Sequence, residues 1–159
     1  MNNDSISFSE KLLKGKIAET IFEQMLRDAQ GFTILAFGYE NILPELASRQ
    51  RSIHSEETME IIRRAPDFAV IDHETHEVRL IEVKYMMHPK PVYILDAAKR
   101  MFESWKPSYL FLATPKGFFM DRASNIIKNK GDIKPLGFEK ISKQLQTKYI
   151  KLLNEFIRE

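Results

Sequence analysis

Two carboxylates and an amine occur at a spacing that a β-hairpin would bring together. Asp67 opens one apolar run, and Glu82 and Lys84 lie in a second apolar run beyond a polar connector over residues 72–77. Two apolar, β-branched runs around a short polar connector predict an antiparallel pair of strands. The hairpin would therefore gather three side chains that are able to bind ions or move protons.

The register of this hairpin decides whether the three side chains meet. A turn centred between Glu74 and Thr75 places Asp67 opposite Glu82, and opposed residues share a face with Cβ atoms about 5 Å apart. The two-residue period of a strand puts Lys84 on that face as well, about 7 Å along from Glu82. The sequence thus predicts one patch that carries two acids and a lysine.

Two acids at this distance are expected to need a cation. Like charges repel, and each carboxylate raises the pKa of the other unless positive charge lies between them. An all-oxygen site of this kind suits Mg²⁺ or Mn²⁺, so Asp67 and Glu82 are candidate metal ligands. An alternative stays open, in which the motif is coincidental and the hairpin acids form structural ion pairs.

A third acid, Glu19, is expected in a long first helix that runs from Ser7 or Ser9 to Gln30. With 100° per residue, Glu19 falls inside an apolar arc of about 80°. The arc is formed by Phe8, Leu12, Phe22 and Leu26. A carboxylate there needs a cation, a lysine or several donors, and Gly15 would leave room for their approach. The alternatives are a buried ion pair and a helix edge that is wetter than this arc suggests.

The other segments place the hairpin in a larger sheet. A β-like run covers residues 32–37, a short helix ends at Arg63 and Arg64, and a helix follows the hairpin as far as Trp105. The nearly all-apolar run over 109–113 is typical of a strand that is covered on both faces.

Helices are expected to complete the chain. Asp121 could cap a short helix that ends at Lys130, and a last helix is predicted from Glu139 to Ile157. Its expected inner stripe consists of Ile141, Leu145, Tyr149, Leu152 and Phe156. The order helix, three strands, helix, strand predicts an α/β domain with a central mixed sheet flanked by helices, and with extra helices at the C-terminus.

The amino-acid composition limits the classes of protein to which this chain can belong. The 159 residues are 43% hydrophobic and 29% charged, which predicts a single globular domain over residues 1–159. No apolar run approaches the length of a membrane span and no signal peptide is evident, so a cytoplasmic protein without membrane contact is expected. Cysteine is absent, which excludes disulfides, thiolate catalysis and cysteine–zinc sites. The net charge is +2, and residues 121–159 form a mildly basic region with nine Lys or Arg and five Asp or Glu.

Together these residues resemble the PD-(D/E)-x-K nuclease superfamily, which has a restriction-endonuclease-like fold. The run Lys14-Gly15-Lys16-Ile17-Ala18-Glu19, followed by Gly31-Phe32, is similar to the opening of archaeal-type Holliday junction resolvases and related endonucleases. The similarity covers about residues 12–38 and 65–85. Hairpin register, strand order and the glutamate of the first helix agree with that pattern.

The resemblance implies metal-assisted hydrolysis of phosphodiester bonds by an endonuclease that acts on DNA, with selectivity for nucleic-acid structure. Asp67 and Glu82 would bind Mg²⁺ or Mn²⁺, the Val83 carbonyl would add a third ligand, and Glu19 would bind the metal directly or through water. Lys84 would orient the attacking water and stabilise charge on the phosphate.

The sequence departs from the resolvase pattern between Tyr39 and Ala65, where a longer stretch leaves junction recognition open. Basic residues near the site are candidate contacts to a phosphate backbone: Arg49, Arg51, Arg63, Arg64, Lys99 and Arg100. The alternatives are a self-neutralising loop, since Glu56, Glu57 and Glu60 lie among the arginines, and a solvated surface at Lys99 and Arg100.

Two questions about partners stay open. A homodimer would supply the two sites that cutting both strands of a duplex requires. The weak overall basic charge favours another class, a nuclease-fold nucleic-acid-binding or assembly module without catalytic turnover.

Overall fold

The computed structural model describes residues 3–38 and 56–157, with side chains over 7–38 and 57–157. Helices and strands alternate along the chain. In order they are α1 (Asn3–Ala29), β1 (Phe32–Ala36), α2 (Glu56–Arg63), β2 (Phe68–Asp72), β3 (Val78–Tyr85), α3 (Pro91–Ser104), β4 (Tyr109–Thr114), β5 (Gly117–Arg122), α4 (Ala123–Lys128) and α5 (Lys143–Ile157). None of these described helices is long and apolar enough to cross a bilayer.

The five strands form one open mixed sheet in the order β1-β2-β3-β4-β5. Strands β3 and β4 are parallel, and α3 makes the crossover between them. The other neighbouring strands pair antiparallel. The predicted α/β class, with a mixed sheet flanked by helices, is confirmed.

Each face of the sheet is covered by helices. On one face α1 and α5 pack on a core in which the Phe22 ring lies 5.3 Å from that of Phe68 and 4.7 Å from that of Phe111. On the other face α3 and α4 cover Leu110 and Leu112. Every residue of β4 is buried, as expected for a strand that is covered on both faces.

The predicted hairpin register is confirmed. Phe68 pairs with Ile81, and this pairing continues to the turn, where the Asp72 N–H donates to the Glu77 carbonyl at 3.0 Å. The same register places Asp67, just before β2, opposite Glu82. The sheet therefore holds the acid pair at the end of the hairpin that lies away from the turn.

The C-terminal third differs from the prediction. Residues 117–122 form β5, so Asp121 is a strand residue, and the N-cap residue of α4 is Arg122. Helix α4 ends at Lys128, and α5 begins at Lys143. Thr114 fixes the β4–β5 hairpin because its hydroxyl oxygen accepts the N–H groups of residues 116 and 117.

The expected inner stripe of the last helix is wrong at its end, because Phe156 is 64% exposed. The buried face of α5 is formed by Tyr149, Leu153 and Ile157. The apolar positions of this helix cover a wider arc than the sheet and α1 can bury, so Phe156 is left at the edge.

The first half of α1 is also more exposed than predicted. Phe8 and Leu12 are 69% and 58% exposed, and Ala18 is the first buried residue among the described side chains of α1. Among the described residues nothing lies within 4 Å of where a Gly15 Cβ would be. The sheet supports only the second half of the helix, and the first half extends beyond it.

Candidate active site

Asp67 lies between the ends of two other strands. Its backbone carbonyl accepts the N–H groups of Phe37 and Gly38, which follow β1, at 2.9 and 3.2 Å. Its carboxylate Oδ2 accepts the Val83 N–H of β3 at 2.8 Å. Hydrogen bonds from both sides thus fix the position of this side chain.

The Val83 carbonyl is the backbone oxygen beside this acid. In an antiparallel pair every second residue pair exchanges hydrogen bonds, and the bond between Asp72 and Glu77 sets the phase. The corresponding pair at the far end is Pro66 with Val83, and proline has no N–H to donate. The β2 side of the ladder therefore gives the Val83 carbonyl no donor, which leaves this oxygen able to bind a cation.

Glu82 and Lys84 alternate with the core residues of β3. Their register partners on β4 are Leu110 and Leu112, so both side chains lie on the α3 side of the sheet. The Lys84 Nζ is 3.1 Å from the Glu82 Oε1, and the Glu82 side chain is only 16% exposed. The predicted grouping of Asp67, Glu82 and Lys84 is present in the structure.

Glu19 reaches the same place from α1. It borders two cavities together with Asp67 and Glu82, although its side chain is 26% exposed and lies 3.4 Å from the Lys16 Nζ. The expectation that Glu19 faces the hairpin acids agrees with this geometry. The expectation that it lies within a buried apolar stripe is wrong, because the stripe itself is exposed at Phe8 and Leu12.

Lys16 also lies at the site, and no role was predicted for it from its position in the sequence. It borders the same two cavities as Glu19, and its charge lowers the pKa of Asp67. The signal that could have found it is the three-residue spacing to Glu19, which puts both side chains on one helical face.

Glu82 borders three cavities, and Asp67 borders two of them. The largest, of about 660 Å³, lies along the first half of α1. Its charged lining consists of Lys11, Lys14, Lys16, Glu19, Asp67, Glu82 and Lys84. The four lysines and three acids give a site that could accept a cation and an anion together.

Burial disfavours ionisation of both acids, and the charge of a neighbouring acid adds to this effect at each of them. Loss of water contact, with the Glu82 charge second, raises the pKa of Asp67 to about 7 despite the Val83 N–H and the charge of Lys84. Loss of water contact also raises the pKa of Glu82, the Lys84 charge opposes this, and Glu19 adds to it. A cation between the acids would remove the repulsion.

The donor atoms suit a hard divalent cation, though with few protein ligands. Over the residues that the structure describes, no three Asp, Glu or His side chains are close enough to hold a metal ion. Asp67, Glu82 and the Val83 carbonyl are the donors available, with Glu19 as a further candidate. Mg²⁺ commonly keeps several waters and binds through one or two carboxylates, so this set fits it.

The predicted nucleic-acid contacts divide into three groups. Arg63, Arg64 and Arg100 border a cavity of about 410 Å³ that also contains Glu82 and Lys84. Lys99 is exposed and is not part of that lining. Arg49 and Arg51 lie outside the described residues.

Acidic neighbours partly neutralise Arg64, the residue that follows α2. Arg64 is 3.1 Å from a Glu60 oxygen and 3.3 Å from a Glu103 oxygen. Both glutamates lie outside the cavity lining. Arg63 also lies 3.8 Å from a Glu60 oxygen. The predicted self-neutralisation therefore applies to both Arg63 and Arg64, although more cationic than anionic side chains border the cavity itself.

No protein-family model, curated protein or solved structure matches this chain. The arrangement of its own residues is therefore what supports a function.

Proposed function

We propose that this protein is a metal-dependent endonuclease that hydrolyses phosphodiester bonds in DNA, with a restriction-endonuclease-like core and a PD-(D/E)-x-K site. The observation that carries the proposal is the convergence of Asp67 and Glu82 in one open cavity, with Lys84 beside them. Burial disfavours ionisation of both acids, and the Glu82 charge adds to this at Asp67. A bound cation is the usual reason to keep such a pair.

Each residue has a role that follows from its position. Asp67, Glu82 and the Val83 carbonyl would hold Mg²⁺ or Mn²⁺, with Glu19 as a direct or water-mediated ligand. The ion, when bound, would lower the pKa of a coordinated water and neutralise charge on the phosphate. Lys84 would orient the attacking water and stabilise negative charge on the phosphate oxygens.

The reaction needs no further co-reactant. The attacking water gives a proton to solvent and its oxygen forms a bond to phosphorus. The bond from phosphorus to the leaving strand oxygen breaks, and that oxygen takes a proton from solvent. The mixed lining of the largest cavity supports this chemistry, because it includes Lys11, Lys14 and Lys16, which could attract the phosphate backbone.

A second candidate is a nucleic-acid-binding or assembly module without turnover. The distance of 3.1 Å between Lys84 and Glu82 favours it, because the lysine already satisfies part of the charge that a metal would neutralise. The small net charge of +2 fits modest binding better than strong nonspecific binding. The hypothesis of purely structural ion pairs gains support from the same contact and from the pair between Lys16 and Glu19.

Cleavage of a substrate panel tests the proposal. Plasmid, branched DNA, single-stranded DNA and RNA are incubated with Mg²⁺ or Mn²⁺ and with wild-type protein, Lys84→Ala or Lys134→Ala. Lys134 is exposed and lies away from the site, which makes it a matched control for loss of one lysine. We expect Lys84→Ala to lower the cleavage rate by at least about 100-fold, since removing one group that stabilises developing charge has that size of effect. Lys134→Ala should retain wild-type activity.

Three results would remove the proposal. Equal cleavage by wild type and Lys84→Ala would point to a contaminating nuclease. Absence of cleavage combined with DNA binding would favour the module without turnover, and absence of both, with no Mg²⁺ binding by calorimetry, would leave structural ion pairs.

A further inference from the structure

The cavity between α2 and α3 adjoins the proposed site and has a surplus of positive charge. Its volume is about 410 Å³, within the range of roughly 300–1,000 Å³ that is typical of ligand pockets. Four cationic and two anionic side chains border it: Arg63, Arg64, Lys84, Arg100, Glu82 and Asp96. Because Glu82 and Lys84 belong to both places, a strand whose phosphate lies at the acids would extend past these arginines.

Tyr93 borders the same cavity from the first turn of α3. Its side chain is 54% exposed, and over residues 7–38 and 57–157 its ring makes no aromatic contact or hydrogen bond. Single exposed aromatic residues are common. This one is distinguished by its position among cationic side chains, beside two residues of the proposed site.

An aromatic ring next to guanidinium groups suits one form of nucleic acid better than another. Unpaired bases expose a flat face that stacks on aromatic side chains, and each such contact contributes about 1–3 kcal/mol. Bases within a duplex stack on one another and present only their edges in the grooves. Guanidinium groups bind phosphate oxygens in either form. The ring would therefore favour the unpaired strand, while the arginines would not discriminate.

We propose that Tyr93 stacks on an unpaired base next to the phosphate that is cleaved, so that the substrate is a single strand or the unpaired part of a branched nucleic acid. The inference rests on the proposed nuclease function and adds the class of substrate. Tyr93 acts here as a specificity-determining residue, and the cleavage itself depends on the hairpin residues.

Binding measurements test the role of the ring apart from cleavage. Fluorescence anisotropy is recorded with a labelled 15-nucleotide single strand, as DNA and as RNA, and with the same DNA sequence as a blunt duplex. Ca²⁺ replaces Mg²⁺ to limit cleavage. The proteins are wild type, Tyr93→Ala, Tyr93→Phe, Tyr93→Leu and Val92→Ala. Val92 is the matched control, because it is 56% exposed beside Tyr93 and does not border the cavity.

We expect Tyr93→Ala and Tyr93→Leu to weaken binding of single strands by about 5- to 100-fold, which corresponds to the loss of one stacking contact. Duplex binding should change less than twofold. Tyr93→Phe should bind as wild type does, because its ring keeps the flat face, and Val92→Ala should do the same. If the affinity for single-stranded RNA depends on Tyr93 as the affinity for single-stranded DNA does, the result would support stacking without recognition of the sugar.

Other outcomes would overturn the inference. Equal losses for single strand and duplex would mean that Tyr93 supports the surface in general, and retention of binding by Tyr93→Leu would exclude stacking. If wild type cleaves DNA while Tyr93→Ala shows no selective defect, only the inference on substrate class fails. If wild type neither binds nor cleaves any substrate, the proposed function fails and this inference falls with it.

Discussion

Asp67 and Glu82 illustrate how single residues can place function in conflict with stability. Neither acid is fully exposed. Burial raises the pKa of both, and the Glu82 charge raises that of Asp67 further, whereas a hydrogen bond with Asp67 lowers the pKa of Glu82. The hydrogen bond from the Val83 N–H and the nearby Lys84 lessen the repulsion without removing it. The metal-free protein should therefore be most stable at a pH where the pair keeps a proton.

The sign of the resulting pH dependence follows from the pKa of Asp67. In the unfolded chain an aspartate has a pKa of about 3.9, whereas burial and Glu82 raise the pKa of Asp67 in the folded protein to about 7. Between these values the folded state binds more protons, so the free energy of unfolding falls as pH rises from about 4 to about 7. We expect urea unfolding in EDTA to give a lower stability at pH 8 than at pH 5.

Asp67→Asn should reduce this fall, because the amide is neutral and can still accept the Val83 N–H. At pH 8 in EDTA we expect the variant to be more stable than wild type by roughly 2 kcal/mol, since one pKa unit corresponds to about 1.4 kcal/mol and water at the open cavity screens part of the effect. Asp132→Asn, at an exposed acid, is the control and should leave the pH profile unchanged. Parallel profiles for wild type and Asp67→Asn would contradict the assignment.

The residues of the hairpin could be predicted because their alternation follows directly from strand geometry. A turn position and a two-residue period suffice to put Asp67, Glu82 and Lys84 together. Lys16 and Tyr93 were not predicted as parts of the site. Their relevance comes from the way α1 and α3 pack against the sheet, and that packing depends on contacts far apart in the chain.

At the scale of elements, α1 shows which property of a helix its periodicity predicts and which it does not predict. A helical repeat shows which residues share a face, but it does not show how far the partner surface extends. Phe8 and Phe22 share the predicted stripe, yet one is 69% exposed and the other is fully buried. Strand β5 was missed for a related reason, because its identity depends on the hairpin that Thr114 stabilises next to β4.

Alanine substitutions at these two phenylalanines test the extent of the core. Phe22→Ala should lower the free energy of unfolding by about 3–5 kcal/mol, because it leaves a cavity between the rings of Phe68 and Phe111. Phe8→Ala removes the same side chain from the same helix and should change stability by less than about 0.5 kcal/mol. Chemical unfolding followed by circular dichroism measures both. A loss of several kcal/mol in Phe8→Ala would show that the first half of α1 is covered in solution.

Gly15 allows stability and function to be distinguished within α1. Glycine in a helix interior is less favourable than alanine by about 0.5–1 kcal/mol, and a Cβ would meet nothing within 4 Å in the described part of the chain. Gly15→Ala should therefore raise the free energy of unfolding by that amount. Because Gly15 borders the largest cavity, we expect the same variant to cleave DNA more slowly if the backbone of the substrate passes there. Gln24→Ala, at an exposed position of α1 that borders none of the three cavities at the acids, is a control for general changes in α1.

At the scale of the whole molecule, charge is distributed in a way that the net value of +2 conceals. The basic C-terminal region and the cavity beside the acids are alternative surfaces for a phosphate backbone. The first is a helix face that includes Lys151, and the second contains Arg100 close to Glu82 and Lys84. Since long-range attraction is weak at this net charge, affinity should come from the few cations that contact phosphates directly.

The dependence of DNA binding on salt identifies which surface is used. Each phosphate contact releases counterions, so the slope of log K against log salt reports the number of contacts, at about −0.7 per phosphate for a single strand. Arg100→Ala should lower the magnitude of that slope by about one contact and weaken binding at low salt. Lys151→Ala, which removes one charge from the C-terminal region, should leave slope and affinity as in wild type. The reverse pattern would place the nucleic acid on α5, away from the arginine-lined cavity. A bound strand could then not reach Asp67 and Glu82 through that cavity.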